Sequence, residues 1–364
     1  MNINLTIESL ESWGGNTGRP LIISGPCSAE TEEQMLSTAR QLKTHGIGIF
    51  RAGIWKPRTR PNQFEGVGSI GLKWLRQVKN ETGMMTAVEV ANVKHVYEAL
   101  KMGVDILWIG ARTSANPFSI QEIADSLEGV DIPVLVKNPV NPDLDLWIGA
   151  IERIAGAGIT KLAAIHRGFS SSEKTIYRNA PKWELVIELR QRLINIPVIC
   201  DPSHIAGRAD LVCSVSQQAM DLGHDGLMIE SHPEPVKALS DSKQQLTPDE
   251  TAALIKNLII RSGRTDNAKY TALLMELRSK IDSLDDKILS VIQKRMDIVK
   301  EIGITKKMNN VQILQTDRWT EILETAKEKG SSKGLSNEFI EKLFNAMHQE
   351  SISVQTEILN SVMD

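Results

Sequence analysis

The sequence has little cysteine. Cys27, Cys200 and Cys213 are the only three in 364 residues, and an odd, sparse set in so long a chain excludes a disulfide framework and points to a reducing compartment. Also missing is any apolar run of about 18 residues, the length that reads as a membrane-spanning helix. The first dozen residues carry acids and polar groups where a secretory leader would start basic and turn apolar. A cytoplasmic protein with no membrane partner is therefore expected. An excess of one charge is lacking too. The 42 basic residues face 45 acidic ones, for a formal net charge of −3, so no nucleic-acid partner is predicted. Any anionic ligand must be gathered by a local cluster of cations.

What is present is a rhythm. Short apolar runs at 20–24, 47–54, 84–90, 106–109, 133–136, 161–165, 197–200 and 226–229 each lead into a longer amphipathic stretch. Unbroken apolar strands alternating with helices describe a parallel sheet buried on both faces. Eight such units over about 250 residues suit an α/β TIM (β/α)8 barrel, and a doubly wound sheet is the alternative. The rhythm ends near residue 262. Residues 263–269 read as a linker, and 270–364 as a smaller all-α domain of three helices. There Leu277, Leu284, Val291 and Ile298 form one seven-residue column, and Ile281, Ile288, Arg295 and Ile302 form another. Two columns offset by four make a helix seam that must face other helices. The first helix, expected to run about 35 residues, is too long for so small a domain to cover, which predicts dimerisation.

Barrel chemistry sits where strands end, and these ends are charged. They carry Cys27, Arg51, Lys56, Arg58, Glu89, Arg112, Lys137, Arg167, Asp201, His204 and Glu230, with Asp241 soon after the last strand. Taken singly, each cation reads equally well as a surface charge. Six of them at one mouth, namely Arg51, Lys56, Arg58, Arg112, Lys137 and Arg167, would repel one another strongly unless anions compensate. Arg favours bidentate contact with carboxylate and phosphate, so ligands with several negative groups are expected. Cys27, His204, Glu230 and Asp241 form a mixed S/N/O set that suits Mn, Fe, Co or Zn better than Mg or Ca, although their spacing has no local metal pattern. A buried Cys27 and a surface Asp241 without any metal would be the plainer reading.

Gly25-Pro26-Cys27-Ser28, Lys56-Pro57-Arg58-Thr59, Ile109-Gly110-Ala111-Arg112, Asp201-Pro202-Ser203-His204, Ile229-Glu230-Ser231-His232 and Ala238-Leu239-Ser240-Asp241 together resemble the short-barrel branch of the type I 3-deoxy-D-arabino-heptulosonate 7-phosphate (DAHP) synthases. The resemblance implies one divalent metal on Cys27, His204, Glu230 and Asp241. It implies phosphoenolpyruvate on Arg51, Lys56, Arg112, Lys137 and Arg167, with Lys56 as proton donor. Erythrose 4-phosphate would lie on Arg58, Thr59 and Asp201, with Glu89 near the reacting centre. Related octulosonate 8-phosphate synthases carry Lys-Ala-Asn-Arg where this chain has Lys56-Pro57-Arg58-Thr59. Arg60 and Pro139 depart from the residues usual at their positions. A Lys among cations is expected to have a lowered pKa.

In the helical part, Arg295 is the one charge in the seam. It needs either an acidic partner on a neighbouring helix or an anionic ligand. The run from Leu277-Arg278 through Arg295, Lys306 and Arg318 to Ser351 and Gln355 resembles the all-helical chorismate mutases. That resemblance implies an intertwined homodimer or a higher assembly built from it. Arg278 (donated by the partner), Arg295, Lys306, Arg318, Ser351 and Gln355 would bind chorismate or prephenate, with Arg295, Lys306 and Gln355 catalytic. Gln315 and Trp319 stand where that family usually has acids. The expectation is a bifunctional enzyme of aromatic amino-acid synthesis, condensing phosphoenolpyruvate with erythrose 4-phosphate and converting chorismate to prephenate, with feedback by prephenate. The alternative is a synthase whose helical part only senses chorismate or prephenate and dimerises.

Overall fold

A computed structural model describes residues 4–13, 20–56, 63–263, 265–314 and 316–361. Arg58, Thr59, Arg60 and Gln315 lie outside them. The chain divides into two compact units, Met1–Gly263 and Arg264–Asp364.

Among the described residues, the first unit alternates eight strands with nine helices. The strands are β1 (Leu21–Gly25), β2 (Ile49–Ala52), β3 (Met85–Val90), β4 (Ile106–Ile109), β5 (Val134–Lys137), β6 (Leu162–His166), β7 (Val198–Cys200) and β8 (Gly226–Glu230). The helices are α1 (Glu32–Thr44), α2 (Ile70–Thr82), α3 (Val93–Lys101), α4 (Pro117–Ser126), α5 (Leu144–Gly156), α6 (Trp183–Arg192), α7 (Pro202–Ala206), α8 (Ala209–Asp221) and α9 (Pro248–Asn257). All strand pairs are parallel, and β1 closes on β8 through the register Ile23↔Met228. The fold is thus the expected barrel, and the doubly wound alternative is excluded. Each strand lies within two residues of its apolar run, because a strand buried on both faces leaves its turn residues as the first polar ones.

Two apolar layers follow from the period of two along a strand. Outward residues pack on the helices. Inward ones, Leu21, Ile23, Ile49, Ala87, Ile106, Trp108, Leu135, Ala163, Ile165, Ile199 and Met228, fill the barrel. A short 3-10 turn, Leu10–Trp13, packs its two apolar ends on that interior cluster. Helix starts are fixed locally. Asn116 caps α4 ahead of Pro117, Asp143 caps α5, and Thr247 and Glu250 form a capping box at α9.

The second unit holds α10 (Ala268–Met308), α11 (Thr316–Ser331) and α12 (Asn337–Asn360). At 41 residues α10 exceeds the expected length and begins inside the stretch read as linker. Asn267 caps it by accepting from the Tyr270 N–H. Helices α10 and α11 both pack on α12, but the buried set among the described residues is small: Val299, Gly303, Ala326, Gly330, Ile340, Ser351 and Gln355. The seam residues Leu277, Ile281, Leu284, Ile288, Val291, Ile298 and Ile302 are all exposed.

Candidate active site

The period of two that fills the barrel also carries its last inward residues to one opening. Arg51 follows Ile49, Glu89 follows Ala87, Lys137 follows Leu135, Arg167 follows Ile165, Asp201 follows Ile199 and Glu230 follows Met228, each two residues on. Arg51, Lys137, Arg167, Asp201 and Glu230 are buried, and buried charges require partners. Arg51 Nη1 donates to Glu230 Oε1 at 3.2 Å, and its Nη2 donates to the Cys27 carbonyl at 3.1 Å. Lys137 Nζ donates to Asp201 Oδ2 at 2.7 Å. Arg167 Nη1 donates to Asn179 Oδ1 at 2.7 Å. Burial pushes the Arg167 guanidinium down to about 10, with Arg178 and Arg112 pressing the same way against Asp201. Those shared influences place Arg112, itself exposed, in the same neighbourhood.

Cys27 Sγ and carboxylate oxygens of Glu230 and Asp241 lie within 4.8 Å of one another. His204 Nε2 stands 3.8 Å from Glu230 Oε1, while its Nδ1 lies 2.9 Å from Asp201 Oδ2. A carboxylate that orients the far nitrogen of an imidazole is a recurrent support for metal-binding histidines. Burial pushes the Cys27 thiol up to about 12, and Glu230 and Asp241 add to it. Both carboxylates nevertheless stay ionised against the pull of burial. His204 and Arg51 hold Glu230 below the ordinary carboxylate range, and His204 and Arg178 do the same for Asp241. A buried thiol converging with two ionised carboxylates and an imidazole edge is the donor set a borderline divalent cation requires. These residues fit such an ion.

Lys56 corrects one expectation. Its Nζ donates to Cys27 Sγ at 2.6 Å and to the Cys27 carbonyl at 3.0 Å. Burial alone would lower its pKa, but the Cys27 sulfur and Glu230 outweigh burial and Arg51 and hold it above the ordinary value. Its neighbours are Cys27, Glu230 and Asp241 more than the other cations.

Several site residues carry no periodic mark in the sequence. Arg178, in the loop after β6, bonds Gln244 Oε1 at 2.7 Å and Asp241 Oδ1 at 3.1 Å. Gln244 donates to Glu230 Oε2 at 2.7 Å, and Gln245 Oε1 accepts the Cys27 N–H at 3.0 Å. Asn138 bonds the Arg167 N–H and the Gly168 carbonyl, joining the ends of β5 and β6 beside Pro139. Gly110 leaves room for the Glu89 carboxylate as it lies here, since a Cβ there would overlap Glu89 Oε1.

In the helical unit Arg295 Nη1 donates to Ser351 Oγ at 2.8 Å and to the Met347 carbonyl at 3.4 Å. Gln355 lies one turn beyond Ser351, buried, its Oε1 without a partner among the described residues. Among the described residues no acid hydrogen-bonds Arg295, so the acidic-partner alternative has no support there. Lys306 Nζ donates to the Ile313 carbonyl at 2.5 Å. Arg318 is exposed and pairs with Glu321 at 2.6 Å. Trp319 stacks on His348 with ring centroids 3.9 Å apart. Arg278 lies seventeen residues before Arg295, about 25 Å along a straight helix, so α10 does not bring these two together.

The DAHP synthetase I family model matches residues 3–260. The chain belongs to the DAHP synthetase I family. A second family model, chorismate mutase type II, matches residues 277–356. A phospho-2-dehydro-3-deoxyheptonate aldolase from Thermotoga maritima is 37% identical over 225 residues, covering 62% of this chain and 64% of that protein. The match thus spans less than two thirds of that relative's length. A 2-dehydro-3-deoxyphosphooctonate aldolase from Syntrophotalea carbinolica is 28% identical over 271 residues, 68% of this chain and 92% of that one. Among solved structures, a truncated 3-deoxy-D-arabino-heptulosonate 7-phosphate synthase from Thermotoga maritima superposes with a TM-score of 0.59 at 31% identity, covering 70% of this chain and 90% of that chain. No helix among the described residues is long and apolar enough to cross a membrane.

Proposed function

We propose that the barrel condenses phosphoenolpyruvate with erythrose 4-phosphate, giving DAHP and inorganic phosphate, and that the helical unit rearranges chorismate to prephenate. The observation that carries the first reading is the convergence of Cys27, Glu230 and Asp241, with His204 beside them, on the same opening as Arg51, Lys137 and Arg167. A divalent ion on those four residues would supply Lewis acidity toward the aldehyde; Mn, Fe, Co and Zn all suit the donor set.

The chain's own residues do the rest. Arg51, Arg112, Lys137 and Arg167 hold the phosphate and carboxylate of phosphoenolpyruvate so that its enol carbon faces the aldehyde carbon, an orientation problem that fixed guanidinium forks address. The new carbon–carbon bond leaves cationic character on the adjacent carbon. Water adds there, and phosphate leaves as the hemiketal carbon–oxygen bond to it breaks. Lys56, protonated beside the metal donors, gives its proton to the new alkoxide. Arg58 and Thr59 would take the aldehyde's phosphate. Asp201, the remaining residue of that group, has Lys137 and His204 on its carboxylate and serves first to aim them. The chain's Lys56-Pro57-Arg58-Thr59 run favours the four-carbon over the five-carbon aldehyde.

The second activity rests on Arg295, Ser351 and Gln355 sharing one face of α10 and α12. A pericyclic rearrangement needs no nucleophile; it needs the substrate folded and fixed donors at the ether oxygen. Lys306 and Gln355 would supply those donors, Arg295 and a partner's counterpart of Arg278 the carboxylate contacts, and Arg318 and Ser351 the lining. The exposed seam of α10 supports a homodimer. The Trp319–His348 stack, at the place where an acid is usual, favours a second reading in which this unit binds chorismate or prephenate without turnover and regulates the barrel. Phosphate release dependent on both barrel substrates, abolished by chelation, tests the first activity. Chorismate loss in wild type but not in Arg295→Ala tests the second. Deleting residues after Gly263 tests feedback by prephenate, which requires that the ligand alter the balance of two arrangements. The three unpaired cysteines suit the reducing cytoplasm.

A further inference from the structure

We infer that Trp108 is a positioning residue of the anion site, whose ring face holds Arg51 and Lys137 in place while leaving them cationic; this rests on the barrel reading above. Trp108 lies in β4 with no exposed surface. The Arg51 guanidinium carbon is 4.8 Å from the ring centroid and Lys137 Nζ is 5.9 Å from it. Both fall within the roughly 6 Å over which a ring quadrupole attracts a cation, an attraction that grows when the pair is desolvated.

The same two cations are met from other directions by Glu230 and Asp201. Further carboxylates would fix them as firmly, but each would cancel charge that an anionic ligand must find. An aromatic face attracts both cations and adds no net charge. Arg51 keeps a donor in hand, since its Nε has no partner among the described residues.

The ring is itself aimed. Its Nε1 donates to Glu89 Oε2 at 3.1 Å, and the register places Glu89 directly beside Trp108 across β3 and β4. Glu89 can lie there because residue 110 is glycine. Gly110, Glu89, Trp108 and Arg51 thus form one chain of contacts. Glu89 acts at its far end, by fixing the indole.

The test uses the full, metal-loaded protein and reads phosphoenolpyruvate binding by calorimetry beside steady-state kinetics. Trp108→Met keeps apolar bulk and removes the ring face. Its Kd and KM for phosphoenolpyruvate should rise about tenfold, the size of a desolvated cation–π contact, with kcat and the KM for the aldehyde changed far less. Trp108→Phe keeps a face and should recover most of the loss. Equal binding by Trp108→Met and wild type, or equal weakening in both variants, would overturn the inference. Should Trp108→Met fail to fold, fluorinated tryptophans placed at 108 alone decide. Binding should weaken stepwise as fluorine draws density from the face, and a flat series overturns the claim. A wild-type protein that neither binds nor consumes phosphoenolpyruvate would instead overturn the reading of the barrel.

Discussion

In the barrel unit a set of charges is buried and most large apolar side chains are covered; in the helical unit most of the large apolar side chains are exposed. Arg51 is 2% exposed and Glu230 0%, whereas Ile281 is 56% and Val291 65% exposed. A closed sheet has no edge and can surround a charged opening with its own partners. Among the described residues of its unit, helix α10, about 60 Å long at 1.5 Å per residue, packs on the shorter α12. The barrel unit gathers its candidate ligand set within one chain, while the helical unit leaves the apolar seam of α10 exposed. A second copy, as proposed above, would cover that seam with matching columns.

The sharpest way to break the comparison is to remove one ligand from each unit. Cys27→Ala should lower condensation by roughly three orders of magnitude, as loss of Lewis-acid catalysis would, with chorismate turnover unchanged. Arg295→Ala should do the converse, costing chorismate turnover about 10²–10³-fold and sparing phosphate release. If either variant disables both reactions while remaining folded, the units are not separable in the way described.

Next in size is the seam. Ile281→Lys with Ile288→Lys removes two side chains each worth about 1.5–3 kcal/mol when buried. Sedimentation should show a dimer for the wild type and a monomer for the double variant, with helical content falling and the barrel's melting retained. An unchanged mass would place the contact elsewhere.

The smallest effect concerns acid. Burial pushes His166 down to about 4, and its ring nitrogen Nε2 bonds the Pro181 carbonyl at 2.6 Å. In the unfolded chain the imidazole takes a proton near pH 6.5. Below that pH the unfolded state therefore binds the extra proton, and the barrel loses about 1.4 kcal/mol per pH unit, levelling off as pH nears 4. His224, also held low by burial and by His166, adds to the slope. Chemical denaturation between pH 7 and 5 should be shallower in His166→Gln; an identical slope would show that His166 is not the group responsible.

The barrel was legible because its strands are buried on both faces, so each reads as an apolar run, and because the period of two carries the inward face on to Arg51, Lys137, Asp201 and Glu230. Arg178, Gln244 and Gln245 were not legible, since loop residues meet the site through tertiary contact and obey no period. Trp108 reads as one more apolar strand residue, and nothing local marks the cations lying over its ring. Lys56 was misjudged because sequence gives the number of cations at the opening but not that the Cys27 sulfur lies nearest. The start of α10 inside the expected linker follows from Asn267, a capping residue that is also a common loop residue.

The central claim is that Cys27 and its three companions hold a divalent cation at the opening where the barrel's positive side chains meet. Titration of the metal-free protein with Co(II) tests it directly by absorption spectroscopy. One equivalent per chain should bring up a thiolate-to-cobalt charge-transfer band, absent in Cys27→Ser and weakened in His204→Ala. Cobalt bound without a thiolate band, or a band that survives in Cys27→Ser, would contradict the account.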